Sequence, residues 1–147
     1  LEGLLRTIGL YRNKARHIQA LAKTLVDEFD GELPDDFDLL CGLPGIGRKT
    51  ANVIVSVAFG QPGLAVDTHV LRVTQRTGLV AMSDEPTKAE MKLKRKIPKM
   101  RWSNAHHAIL CFGRYHCTAK KPACDRCPLA DQCRYHLKNE QSKKRVQ

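Results

Sequence analysis

The sequence contains no apolar run near the roughly 20 residues that a bilayer-spanning helix needs. That excludes a spanning helix and leaves no membrane partner to expect. No secretory signal is visible. The chain opens on Leu1, already inside a helix-like pattern, so it reads as a piece of a longer protein in which a missing leader decides little. Strict apolar–polar alternation is nowhere sustained, which removes the signal of half-buried strands and leaves an all-α expectation. There is no internal repeat. The only low-complexity tract is the polar tail from Lys138, expected to fray. Acidic residues are scarce in one part only. Residues 88–147 hold 4 Asp+Glu against 16 Lys+Arg, whereas residues 1–87 hold 11 against 9. A basic half of this kind usually meets a polyanion, most often nucleic acid, with a merely solvated basic face as the plain alternative. At 147 residues the chain suits one domain or two small ones with a real core.

What is present centres on Leu43-Pro44-Gly45-Ile46-Gly47-Arg48-Lys49-Thr50-Ala51. Two glycines one residue apart permit the positive backbone angles of a tight turn. The apolar run from Ala51 to Phe59 then reads as a helix of about 48–59, apolar on most faces and expected to be deeply buried. Its first N–H groups have no partner within the helix and can hold a phosphate. Around this hairpin the periodicity predicts further helices. Residues 1–8 read as a helix end closed by Gly9. Residues 12–29 carry an apolar stripe of Ile18, Leu21, Ala22, Leu25, Val26 and Phe29, broken by Gly31 and Pro34. Asp35 or Asp36 caps a short helix through Leu40, and Asp67 or Thr68 caps another to about Arg76. Two more span about 87–96 and 104–115.

Six cysteines are present, four of them as Cys117-x6-Cys124-x2-Cys127-x5-Cys133. In a reducing compartment such crowding suggests a metal or cluster site more than a disulfide framework. Four thiolates suit tetrahedral zinc or an iron–sulfur cluster, and the spacing alone leaves both open. The first gap carries Lys120 and Lys121, able to meet phosphates or simply to be solvated. Cys41 and Cys111 fall in apolar helical patterns and are expected to be buried thiols.

Lys49 lies in the first turn of the hairpin's second helix, and Asp67 follows eighteen positions later. By themselves these are a phosphate contact and an N-cap. They are also a possible nucleophile and carboxylate. Burial, the positive end of the helix and Arg48 would each favour the neutral amine that a nucleophile needs. His69, His106 and His107 read as packing or hydrogen-bonding residues.

The hairpin Leu43–Ala51, the Gly/Pro loop before Asp67 and the Cys117–Cys133 segment occur in an order and at distances that resemble the helix-hairpin-helix DNA glycosylases of the endonuclease III type. The resemblance covers essentially the whole chain, although the family pattern has a further N-terminal portion before the point where this sequence begins. It implies an all-α helix-hairpin-helix glycosylase fold. Residues 1–61 would be part of a helical barrel ending in the hairpin, and residues 62–147 an iron–sulfur lobe with a polar tail. It implies a [4Fe–4S] cluster on Cys117, Cys124, Cys127 and Cys133. It implies a monomeric, intracellular enzyme that acts on double-stranded DNA bearing a damaged base or an abasic site. Lys49 matches the Schiff-base lysine and Asp67 the catalytic aspartate, facing each other across a cleft. Gly45, Gly47, Arg48, Lys120 and Lys121 would contact DNA. The implied activity is excision of oxidised pyrimidines followed by β-elimination at the abasic site. Mismatch-specific relatives lack a lysine at this position. The alternatives are a DNA-binding module without chemistry and a monofunctional mismatch glycosylase.

Overall fold

The structure is a computed structural model and describes residues 1–144. The described residues are helical or irregular, with no strand among them. The end of the polar tail, 145–147, lies outside them. The chain divides into two compact units, Leu1–Gly60 and Gln61–Gln147. No helix among the described residues is long and apolar enough to cross a membrane.

The first unit begins with turns rather than the expected helix end. Leu4 N–H to Leu1 O, Leu5 N–H to Glu2 O and Ile8 N–H to Leu5 O are all i→i+3 bonds of 3.1 Å. Gly3, Thr7 and Gly9 are weak helix formers, and a short segment cannot offset the cost of nucleation. Helix α1 spans Tyr11–Glu28. It ends where Asp30 and Gly31 turn left-handed, at φ 52° and 83°, and the Gly31 N–H closes on Leu25 O at 2.8 Å. Helix α2, Phe37–Gly42, is capped by Asp36, whose side chain accepts from the N–H groups of Asp38 and Leu39. Helix α3 spans Arg48–Val57. Leu21 and Leu25 of α1, with Phe29 just past its end, pack on a core of Leu40, Leu43, Ile46, Ala51 and Val55. Two parts of the sequence reading need correction. Ile18 and Val26 of the expected α1 stripe are exposed, and α3 is buried on one face only, with Val57 68 % exposed. A unit of three helices covers one side of each.

In the second unit Asp67 caps α4, Thr68–Thr77, which stops at Gly78 with φ 85°. Helix α5 spans Pro86–Lys96 with the proline in its first turn, where a missing N–H costs nothing. Helix α6 spans Trp102–Tyr115. The core gathers Leu64, Val66, Val70, Val80, Ala89 and Leu93. Helices α4 and α6 approach closely at Gly113, where a Cβ would stand 3.0 Å from both His69 O and Val73 Cγ2. Two 3₁₀ turns, Cys124–Arg126 and Ala130–Gln132, shape the cysteine segment. A seventh helix, α7, covers Arg134–Lys144, so the polar run from Lys138 to Lys144 is helical rather than frayed. It is the continuation of a helix that packs against α4, which single-face periodicity could not reveal.

Candidate functional site

In the first unit the hairpin closes with Ile46 N–H on Leu43 O at 3.1 Å. The two glycines do different work. Gly45 takes φ 76°, and a Cβ there would stand 2.7 Å from His17 Cβ. Gly47 is the N-cap of α3 with φ −95° and ψ 174°, an extended conformation. No side chain caps α3. A helix N-terminus without a side-chain cap is a place where an anion can bind. Arg48 lies over the Phe37 ring at 4.9 Å, and its carbonyl accepts from Asn52 Nδ2 at 2.9 Å. Lys49 is exposed.

In the second unit Asp67 is half-buried. It accepts from the N–H groups of His69 and Val70 at 2.9 and 2.8 Å, both on Oδ1. The cap thus fixes the carboxylate and leaves its second oxygen outside those bonds. His106 is buried, with Nδ1 2.8 Å from Ala65 O. The expected structural role of the histidines therefore holds for His106. His69 Nδ1 lies 3.2 Å from Arg72 Nη2, and His107 is exposed.

Cys117, Cys124, Cys127 and Cys133 line one cavity, together with Thr77, Phe112 and His116. Their mutual approach is visible in Cys124, whose thiol is pushed up by burial first and then by Cys117, Cys127 and Cys133. Cys133 Sγ donates to Arg76 O at 3.4 Å. By contrast, Cys111 is exposed and Cys41 only half-buried, so neither is the fully buried thiol its helical pattern suggested. Lys120 and Lys121 are exposed in the first cysteine gap, where the Thr118 hydroxyl donates to Lys121 O at 2.7 Å.

The sequence reading missed two arginines that build this centre. Arg72 donates from Nε to Cys117 O at 3.0 Å and from Nη2 to Gly113 O at 2.6 Å. Arg76, one turn on, donates from Nη1 to Thr118 O at 2.7 Å and to Cys117 Sγ at 3.4 Å. Its Nη2 reaches Ala119 O at 2.8 Å, and its guanidinium sits 4.5 Å from the Tyr135 ring centre. The available signal was a pair of arginines four apart on one face of α4, the spacing at which side chains act together.

The donor set can be tested against its possible occupants. Among the described residues no three His, Cys, Asp or Glu side chains gather closely enough for a single metal ion. Four thiols lining one cavity are a soft donor set of the kind that holds an iron–sulfur cluster. His116, which also lines the cavity, carries the single buried side-chain N or O found without a hydrogen-bond partner among the described residues, its Nε2. A sulfur-rich group would offer it an acceptor.

Comparison with known proteins agrees. Residues 1–99 match the family described as HhH-GPD superfamily base excision DNA repair protein. Residues 117–133 match the iron-sulfur binding domain of endonuclease III. Endonuclease III of Bacillus subtilis is 52 % identical over 136 residues, covering 92 % of this chain and 62 % of the relative. That of Escherichia coli is 42 % identical over 134 residues, covering 91 % and 63 %. The chain thus spans somewhat under two thirds of the curated relatives it matches. A trapped endonuclease III–DNA covalent intermediate superposes with TM-score 0.92 at 54 % identity, covering 95 % of this chain and 66 % of that one. A thermostable thymine-DNA glycosylase shares the fold, with TM-score 0.77 at 22 % identity. The cofactor of the cysteine segment is a [4Fe–4S] cluster. From its hairpin to its cysteine segment, the chain belongs to the HhH-GPD superfamily of base excision DNA repair proteins and is of the endonuclease III type.

Proposed function

We propose that the chain serves a DNA glycosylase with abasic-site lyase activity, in which Lys49 is the nucleophile and Asp67 the electrostatic partner. The observation that carries this reading is an exposed lysine in the first turn of a helix whose N–H groups no side chain caps. A phosphate held there, between Gly45 and Arg48, would bring the DNA backbone to the amine. That a relative was captured as a covalent intermediate with DNA supports a bond-forming residue over a passive contact.

The target nucleotide leaves the base stack, since its sugar is not reachable inside a duplex. Neutral Lys49 Nζ attacks C1′, the C1′–N bond breaks, and the base departs with a proton. The sugar ring opens to a C1′=N Schiff base. Loss of a C2′ proton then expels the 3′ phosphate and breaks the strand at C3′–O. Asp67, fixed in place by its cap, stabilises the cationic sugar as the base leaves. Oxidised pyrimidines are the proposed substrates. Cys117, Cys124, Cys127 and Cys133 would hold the cluster. When bound it cross-links four positions of a segment with little secondary structure. That would steady Lys120 and Lys121 for further phosphates, contacts that position the protein without reading sequence.

Borohydride trapping on abasic-site DNA tests this, because it reduces the Schiff base to a stable amine. The assay is run with the chain and with the chain completed to the length of its Bacillus subtilis relative using that relative's residues. The completed protein should give an adduct, and Lys49→Gln should lower its yield at least about 10³-fold. No adduct from the completed protein sinks the lyase reading. Base release without strand cleavage would point to a monofunctional glycosylase.

A further inference from the structure

His116 immediately precedes the first cysteine of the segment. It lines the same cavity as all four thiols. Its ring stacks on Phe112, with centroids 4.9 Å apart and planes 27° from parallel. Its Nε2 is shut off from solvent and has no hydrogen-bond partner. Leaving a buried N–H without an acceptor is costly, so native proteins rarely tolerate it without a reason. Phenylalanine would keep the stack and avoid that cost, which makes a packing role alone a poor account of histidine here. The Thr77 hydroxyl in the cavity wall is committed to Val73 O at 2.9 Å. Arg76 donates to Cys117 Sγ and to two carbonyls of the first cysteine gap. Cys133 Sγ meets the Arg76 carbonyl.

We propose that His116 Nε2–H donates a hydrogen bond to a sulfur of the bound iron–sulfur cluster or of its cysteine ligands, and thereby sets the cluster's oxidation-state equilibrium. The inference rests on Cys117, Cys124, Cys127 and Cys133 being the ligands. Its physical basis is charge. An N–H directed at sulfur stabilises the more negative, reduced state over the oxidised one, and hydrogen bonds to cluster sulfurs are one of the terms that set such potentials. A buried bond of this kind is worth more than one in water. The role requires the proton on Nε2 and involves no change of charge on the ring.

The test uses the cluster-loaded full chain. Iron and sulfide analysis of the unmodified protein first checks the ligand assignment. Four irons per chain, lost in Cys124→Ser, support it, and one zinc with no iron overturns it irrespective of His116. The midpoint potential then tests His116. His116→Phe keeps an aromatic ring against Phe112 and removes the N–H. It should retain four irons and shift the one-electron equilibrium toward the oxidised cluster about tenfold, which is about 59 mV. His116→Gln restores an N–H near the Nε2 position and should recover most of the shift. An unchanged potential in His116→Phe, or equal shifts in both variants, overturns the proposal. If His116→Phe fails to hold four irons, a measurement on the native residue decides. Among the described residues His136 is the only other histidine lining the cavity. In His136→Gln protein with ¹⁵N-labelled histidine, the paramagnetic cluster should show nitrogen coupling, and its absence overturns the proposal.

Discussion

The two units use charge in opposite ways. Leu1–Gly60 carries 7 Lys+Arg and 8 Asp+Glu, a net −1, and Gln61–Gln147 carries 18 and 7, a net +11. On charge alone the second unit is the one to bind a polyanion. Yet part of its positive charge is committed to partners within the unit. Arg72 and Arg76 hold the carbonyls of 113 and 117–119. Lys92 is bonded to both oxygens of buried Asp84 at 2.8 and 2.6 Å, and Lys94 to buried Glu90 at 2.8 Å. Lys96 donates to Leu79 O at 2.7 Å. The first unit is nearly neutral, but it presents an exposed lysine beside uncapped backbone N–H groups. Net charge counts ions, whereas function depends on which of them the fold leaves uncommitted.

The comparison is most sharply tested by removing a proposed ligand from the second unit. Cys133→Ser should abolish iron uptake and expose the amides of 117–133 to hydrogen exchange by at least about 10³-fold, because binding free energy at such sites is folding free energy. Helices α1–α3 should exchange as before. Equal loss of protection in both units would show that they are not separately stabilised.

A smaller effect separates the hairpin's two glycines. Gly45→Ala places a Cβ at φ 76° and against His17. It should cost about 1–2 kcal/mol from the backbone angle alone, with some addition from the contact, read as a lower melting temperature. At Gly47, where the backbone is extended and a Cβ would meet nothing within 4 Å, alanine should cost less than about 1 kcal/mol. Equal costs would refute the assignment of the left-handed turn to Gly45.

The smallest effect concerns pH and belongs to the second unit. Asp84 is enclosed, but the Lys92 bonds outweigh the cost of that burial and hold its carboxyl below the ordinary range, with the Ala81 N–H and Lys88 assisting. A carboxyl lowered in the folded state contributes stability that is full above the unfolded value, near 3.9. It is lost as pH falls through the folded value. Thermal unfolding should therefore show the second unit weakening below about pH 4, and Asp84→Asn should flatten that dependence while lowering stability at pH 7. A slope that survives the substitution would assign the acid sensitivity to other carboxylates.

The helix-forming segments were legible because their signals are local. Asp36 and Asp67 cap the helices that their positions announced, and Gly31 ends α1 as expected. The failures share a cause. The opening turns and the helix α7 were misread because periodicity over a few residues does not report nucleation cost or a packing partner. The exposed faces of α1 and α3 were misread because an apolar pattern states what could be buried, and coverage depends on how many neighbours the unit supplies. For the candidate site, residue type and spacing drew attention to the four cysteines, Lys49 and Asp67, and the roles expected of them came from the family resemblance. Arg72, Arg76 and His116 drew none, since their importance lies in partners that the chain brings from far away or fails to provide.

By itself, then, the sequence determined what depends on near neighbours along the chain: the helices with their caps, the all-α class, the hairpin, and the thiol spacing that resembles an iron–sulfur segment. Only the tertiary structure decided which charges are consumed. Arg72 meets Cys117 O across 45 positions and Arg76 meets Thr118 O across 42. It alone showed that Gly45 and not Gly47 is required by its backbone angle, and that one buried histidine nitrogen beside the cysteines has no partner of its own. The division is physical. Backbone propensity and capping are settled within a turn or two of helix, while desolvation and pairing are settled only when distant segments pack.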